Sequence, residues 1–157
     1  MQMLDRFAAV IATGRERLCA LPARESEVRP KADAWSKKEE LGHLVDSAIN
    51  NYARVIRAQH EENPQLPGYD ADLWVERQGY KERDWNALIQ LWSSLNAHLL
   101  QAARRVPAAA YGRKCKVGGT EMTLEFVIED YIDHMVHHLG HIGIVVSEFR
   151  RVESAYA

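Results

Sequence analysis

An all-α four-helix bundle is the fold this sequence predicts, on three observations. Four long segments carry apolar residues at three- and four-residue spacing, the pattern of helices with one buried face. Helix-start signals precede the second and the fourth of them. Between the second and third lies the stretch "ENPQLPGYDADLWVERQGYKERDW", broken by two prolines and two glycines. Neighbouring helices in a bundle are usually joined by about 2–8 residues. So long a stretch reads as a crossover that carries the chain to another part of the bundle.

Each element has its own justification. The first helix spans Gln2 to Ala20, with Leu4, Phe7, Val10, Ile11 and Leu18 facing inward. Pro22 and Pro30 bracket a linker. Ser36 and Glu39 then form a capping box, in which each satisfies an orphan amide of the other at a helix start. The second helix runs from there to about Gln59, its stripe made by Leu41, Leu44, Val45, Ala48, Tyr52, Val55 and Ile56. Within the crossover, "DADLWVERQ" predicts a short helix. The third long helix runs from about Asp84 to Arg105, with Trp85, Leu88, Leu91, Trp92, Leu95 and Leu99 inward, and Pro107 ends it. In "YGRKCKVGGTEMT" the pair Gly118-Gly119 permits positive φ, which predicts a small hairpin or an extended loop. Thr123 caps the fourth helix, about Leu124 to Phe149. With no internal repeat, residues 1–157 read as one domain, a length sufficient for its own core.

Composition excludes several function classes. Twenty basic against 22 acidic residues leave a formal charge of −2, and no basic stripe runs along the chain. Nucleic acid is therefore not expected as a partner. No apolar run reaches membrane-spanning length, and the N-terminus lacks the basic, apolar and small-residue blocks of a signal peptide. The expected location is the cytoplasm, with Cys19 and Cys115 reduced.

The unusual feature is "DYIDHMVHHLGHI", which places His134, His137, His138 and His141 within eight residues. It contains two pairs four apart, and residues at that spacing share a helix face with Cβ atoms about 5–6 Å apart. Two imidazoles so held can converge on one metal ion. On a wheel of about 100° per residue, His138 lies about 40° from the apolar direction and His134 about 80°. His141 lies about 100° away and His137 about 140°. His134 and His138 thus face the bundle interior, His141 borders a pocket, and His137 points to a flank or a partner. No Glu follows His134 or His137, which excludes a zincin motif. Only one ExxH occurs, Glu40 to His43, so a bundle di-iron site is excluded too. A third ligand must come from another helix, and the candidates are His43, His60 and His98. His60 sits at a helix end, and His98 lies between core leucines as a core-edge hydrogen bonder. His43 lies nearly opposite the apolar stripe of its helix, beside Ser47, Asn50 and Arg54. That side is either a solvated face or a polar groove between helices.

The segments "WSKKEELGHLVDSAINNY" and "TLEFVIEDYIDHMVHHLGHI", in that order, resemble the DinB/YfiT-like superfamily over nearly the whole chain. The resemblance implies a four-helix bundle in which one histidine of the second helix and two of the last bind a divalent metal. Carried over, the ligands are His43, His134 and His138. Ser47, Asn50, Arg54 and His141 would line the pocket, and His141 stands where the family commonly has Gln. Asp46, Asp130 and Asp133 are close enough in sequence to orient the ligands from behind. The resemblance also implies a homodimer, to which His137 and the crossover's Trp74 and Tyr80 would contribute.

Three neutral imidazoles leave the ion's charge intact and a coordination position open, as in catalytic sites. Zinc or nickel suits such a set best, with iron or manganese next. The implied chemistry is thiol S-transfer with a low-molecular-weight thiol as co-substrate, ahead of hydrolysis, on a small-molecule substrate. No catalytic base identifies itself. The competing expectation is a non-catalytic, stress-related binding module whose metal site is vestigial or regulatory.

Overall fold

The computed structural model describes residues 2–146. Helix α1 (Gln2–Ala20) leads into the short α2 (Ala23–Ser26), which the sequence pattern did not signal. Helix α3 (Lys37–His60) starts at the predicted capping box: the Glu39 amide donates to Ser36 Oγ at 3.3 Å, and the Ser36 amide donates to Glu39 Oε2 at 2.9 Å. The crossover carries strand β1 (Gln65–Leu66), helix α4 (Ala71–Gln78) and a 3₁₀ turn over Tyr80–Glu82. Helix α5 (Trp85–Arg104) is capped by Asp84, which accepts from the Ala87 amide at 2.8 Å. A hairpin, β2 (Lys114–Val117) and β3 (Thr120–Thr123), precedes α6 (Leu124–Ile142). Its turn uses Gly118 and Gly119, both at positive φ. Thr123 caps α6 as expected, accepting from the Phe126 amide at 3.2 Å.

Helix α3 packs along both α5 and α6, and α1 closes the bundle against the same two helices. Trp92, Phe7, Leu41, Leu44, Leu88, Leu99, Ile128, Met135 and Leu139 are fully buried between them. Cys19 is exposed and Cys115 buried, and both are free thiols. Among the described residues no helix is long and apolar enough to cross a membrane.

Two features differ from the sequence expectation. Helix α6 stops at Ile142 rather than continuing to Phe149, a position that lies outside the described residues. Gly143 adopts φ 95° there, and the Ile144 amide donates back to the Leu139 carbonyl at 2.9 Å. This is a Schellman ending, and Leu139 and Ile144 are both buried. Val145 is consequently exposed, while Val146 is buried. Second, β1 pairs in parallel with β2, matching Gln65 to Lys116 and Leu66 to Val117. The crossover is thus pinned to the hairpin by a strand too short to leave a periodic signature.

Candidate metal centre

Glu40, His43 and Ser47 lie three and seven residues apart on α3, which puts them on one face. His134, His138 and His141 do the same on α6. The two helices run antiparallel, and the faces meet as a ladder. Ser47 Oγ is 3.3 Å from His134 Nδ1, and His43 Nε2 is 3.1 Å from His134 Nε2. Glu40 Oε2 is 2.7 Å from His138 Nδ1. One ligand atom from each of His43, His134 and His138 lies within 4.8 Å of the other two.

The face of α3 that carries His43 is a groove, and it is covered. All residues from Lys38 to Ala48 are buried, so this half of the helix has no solvated side. The cause is the crossover. Tyr80 lies across Gly42 so closely that a Cβ there would sit 2.2 Å from its ring. Its hydroxyl donates to Asp46 Oδ1 at 2.6 Å, and the Gln78 amide donates to the same oxygen. Trp35, just before the helix, places its ring 5.0 Å from that of His43, and the Tyr69 ring lies 6.3 Å away on the crossover. Neither Trp35 nor Tyr69 was singled out for the site from sequence.

This covering sets the protonation of the donors. Burial, with the nearby His138 second, pushes His43 down to about 4, against the opposing pull of Glu40. Burial likewise holds His134 well below the usual histidine range, helped by His138, His43 and His137. Both rings are neutral at pH 7, the form that ligates metals. Two nitrogens 3.1 Å apart either share one proton or turn both lone pairs to a cation. Tetrahedral zinc, with Zn–N bonds of about 2.0–2.1 Å, needs ligand nitrogens roughly 3.4 Å apart. Ser47 and Glu40 hold the Nδ1 atoms of His134 and His138, which leaves their Nε2 atoms free to face inward. The donor set fits a transition ion.

Asp46 does not back a ligand; it braces Tyr80 and Gln78, and burial raises its pKa despite those bonds. Asp133 is paired with Arg6, tying α6 to α1. Asp130 adds negative charge near Arg54. The carboxylate that does reach a histidine is Glu40, noted in the sequence only as part of the lone ExxH. Asn50 donates to the Asp46 carbonyl of its own helix at 2.9 Å. Half-buried Arg54 donates to the Pro67 carbonyl at 3.2 Å and lies near Tyr69. His141 is exposed at the rim, and the ring of exposed His137 meets it edge-on with ring centres 4.3 Å apart. His98 is exposed and stacked on Tyr52 rather than a core-edge bonder, and His60 is exposed as expected. Tyr80 is buried against Gly42 of α3.

The sequence profile of the DinB superfamily matches residues 6–142, most of the chain. The chain belongs to the DinB superfamily. This DinB chain is 28% identical over 110 residues to the Bacillus subtilis protein named "Putative metal-dependent hydrolase YfiT", a match covering 69% of this chain and 62% of that protein. A like-named protein of Halalkalibacterium halodurans is 28% identical over 113 residues, covering 71% of this chain and 66% of its own. The matches thus span just under two thirds of either relative's length. The solved structure of Bacillus subtilis YfiT, described as an unusual four-helix bundle, superposes with a TM-score of 0.82 at 22% identity, covering 90% of this chain and 82% of that one. A mycothiol-dependent maleylpyruvate isomerase superposes with a TM-score of 0.77 at 16% identity, covering 92% of this chain and 60% of that one. At such identities the likeness establishes the fold: a YfiT-type four-helix bundle.

Proposed function

We propose that this DinB chain is a metal-dependent enzyme that holds one divalent transition ion on His43, His134 and His138 and transfers a low-molecular-weight thiol to, or through, a small electrophilic substrate. The observation that carries this is the donor set: three imidazoles, two of them held neutral by burial, converging from α3 and α6, with no fourth His, Cys, Asp or Glu donor grouped with them among the described residues. An ion held by such a set keeps its charge and an open position, and lowers the pKa of a thiol or water placed there. The chain's own residues do the rest. Ser47 and Glu40 fix the ring orientations, Trp35 and Tyr69 limit water around His43, and Arg54 supplies positive charge near Tyr69. Zinc or nickel suits the set best, with iron or manganese next. The thiol dependence named for one fold neighbour supports S-transfer. The name shared by the curated relatives supports hydrolysis as the second reading.

Metal analysis of untagged protein, followed by conjugation assays with bacillithiol, mycothiol and glutathione on a chromogenic electrophile, tests this. One ion per chain and turnover that needs both ion and thiol are expected. Ester or amide cleavage that needs the ion but no thiol would select the hydrolase reading. Protein without stoichiometric metal, whose content and melting are unchanged by His138→Ala, would leave a binding module instead.

A further inference from the structure

The ladder between α3 and α6 has one more rung than the proposed reaction uses. His141 stands one turn beyond His138, and its Nδ1 lies 3.3 Å from Glu40 Oε1 while His138 Nδ1 lies 2.7 Å from Glu40 Oε2. These three residues are a second set with one donor atom each, all within 4.8 Å. Two imidazoles and a carboxylate are a known ligand combination for transition ions. The set lies at the rim. The His141 side chain is 47% exposed against 11% for Glu40, and a cavity of about 340 Å³, walled by Val28, Pro30 and Trp35, opens on both. The His137 ring meets that of His141 edge-on, with ring centres 4.3 Å apart.

We propose that Glu40, His138 and His141 form an outer cation site that captures a divalent transition ion before it passes to the inner triad. The mixed nitrogen and oxygen donors favour zinc, copper or nickel over calcium or magnesium, which prefer oxygen alone. His138 links the two positions. A neutral imidazole has one lone pair. With its proton on Nδ1, the ring donates to Glu40 and ligates inward through Nε2. With the proton on Nε2, its Nδ1 lone pair turns to the outer set. The ring serves one site at a time, so each chain holds one ion in either of two places. Passage inward moves the ring proton from Nε2 to Nδ1, where Glu40 receives the hydrogen bond. The loading role rests on the inner triad being the resident site; the existence of the outer site does not.

Equilibrium dialysis against Zn²⁺, with wild type, His43→Ala and His43→Ala/His141→Ala compared, separates the two. His43→Ala is expected to keep one zinc per chain at least 100-fold more weakly, and adding His141→Ala to weaken it at least tenfold more. Equal binding by the single and double variants would overturn the outer site. Equal binding by wild type and His43→Ala would instead sink the inner triad and leave the outer site standing. Circular dichroism checks folding, and His43→Gln replaces the alanine variant if that one unfolds. In stopped flow, His141→Ala alone should slow zinc uptake severalfold with the final affinity unchanged; an unchanged rate would remove the loading role.

Discussion

The two halves of α3 obey different rules. From Lys38 to Ala48 every residue is buried, including Lys38, Glu39, Glu40, His43, Asp46 and Ser47. From Ile49 onward the helix is amphipathic in the ordinary way: Asn51, Val55 and Ala58 are buried, and Ile49, Ala53 and His60 are exposed. The difference lies in what covers each half rather than in the helix itself. Helices α5 and α6 bury one side of α3 along its length, whereas Trp35, Tyr69 and Tyr80 from the flanking segments close over the first half, with Pro67 and Tyr69 reaching on as far as Arg54. A polar face becomes a metal-capable groove when a third layer is laid on it.

The largest test of that contrast is Gly42→Val. A side chain there collides with the Tyr80 ring, so the crossover must lift or α3 must shift. Overpacking of this kind costs about 3 kcal/mol. Urea unfolding should show that loss, with metal affinity falling alongside because the lid over His43 is displaced. Normal stability would mean that the crossover does not clamp this half of the helix.

Acid should weaken the same half. Unfolded histidines titrate near 6.5, whereas His43 is held down to about 4 and His134 well below its usual range. Between those values the unfolded chain binds more protons, so stability rises with pH. In metal-free protein it should be complete above about pH 7 and decline as pH falls from 6.5 towards 4, by roughly 3 kcal/mol from His43 alone at 1.36 kcal/mol per unit. Asp46 works against this at the acid end, because its raised pKa lets the native state take a proton first. Chemical unfolding at a series of pH values checks it, and His43→Gln should flatten the slope. A slope unchanged in that variant would contradict the burial argument.

A smaller effect separates the two groups behind the histidines. Glu40→Gln weakens the orientation of His138 and should lower metal affinity 10- to 100-fold. Ser47→Ala removes the longer, neutral contact to His134 and should cost less than tenfold. Competition with a chromogenic chelator measures both, and the reverse order would show that His134 rather than His138 depends on its backing group.

Much of this was legible in the sequence, and the gaps have physical causes. Helix periodicity and caps located α1, α3, α5 and the start of α6 because those signals are local. The face of α6 ordered its histidines for the same reason: His134 and His138 are inward, and His141 and His137 lie at the rim and outside. The burial of His43 was not legible from the wheel, because its cover comes from residues that adjoin α3 only in three dimensions. Glu40 was passed over for a related reason. Its partner is 98 positions away, so nearness in sequence pointed instead to Asp46 and Asp133, each engaged elsewhere. The end of α6 was misjudged because the valines after Gly143 continue the apolar pattern, while a glycine free to adopt φ 95° ends the helix.

The smallest effect is expected at Ile49, where α3 changes character. It is the first residue past the covered half, and it is 43% exposed. If the third layer ends at Ala48, Ile49→Ala removes a side chain already half in water and changes stability by no more than about 0.5 kcal/mol. Alanine's higher helix propensity offsets part of even that. A fully buried isoleucine truncated to alanine would lose about 2–5 kcal/mol. Urea unfolding of Ile49→Ala in dilute solution therefore reads whether anything else covers this position. A loss above about 1.5 kcal/mol would mean that the cover extends beyond Ala48, through a contact the single chain does not contain. Sedimentation of wild type beside the variant would then show whether a second copy supplies it.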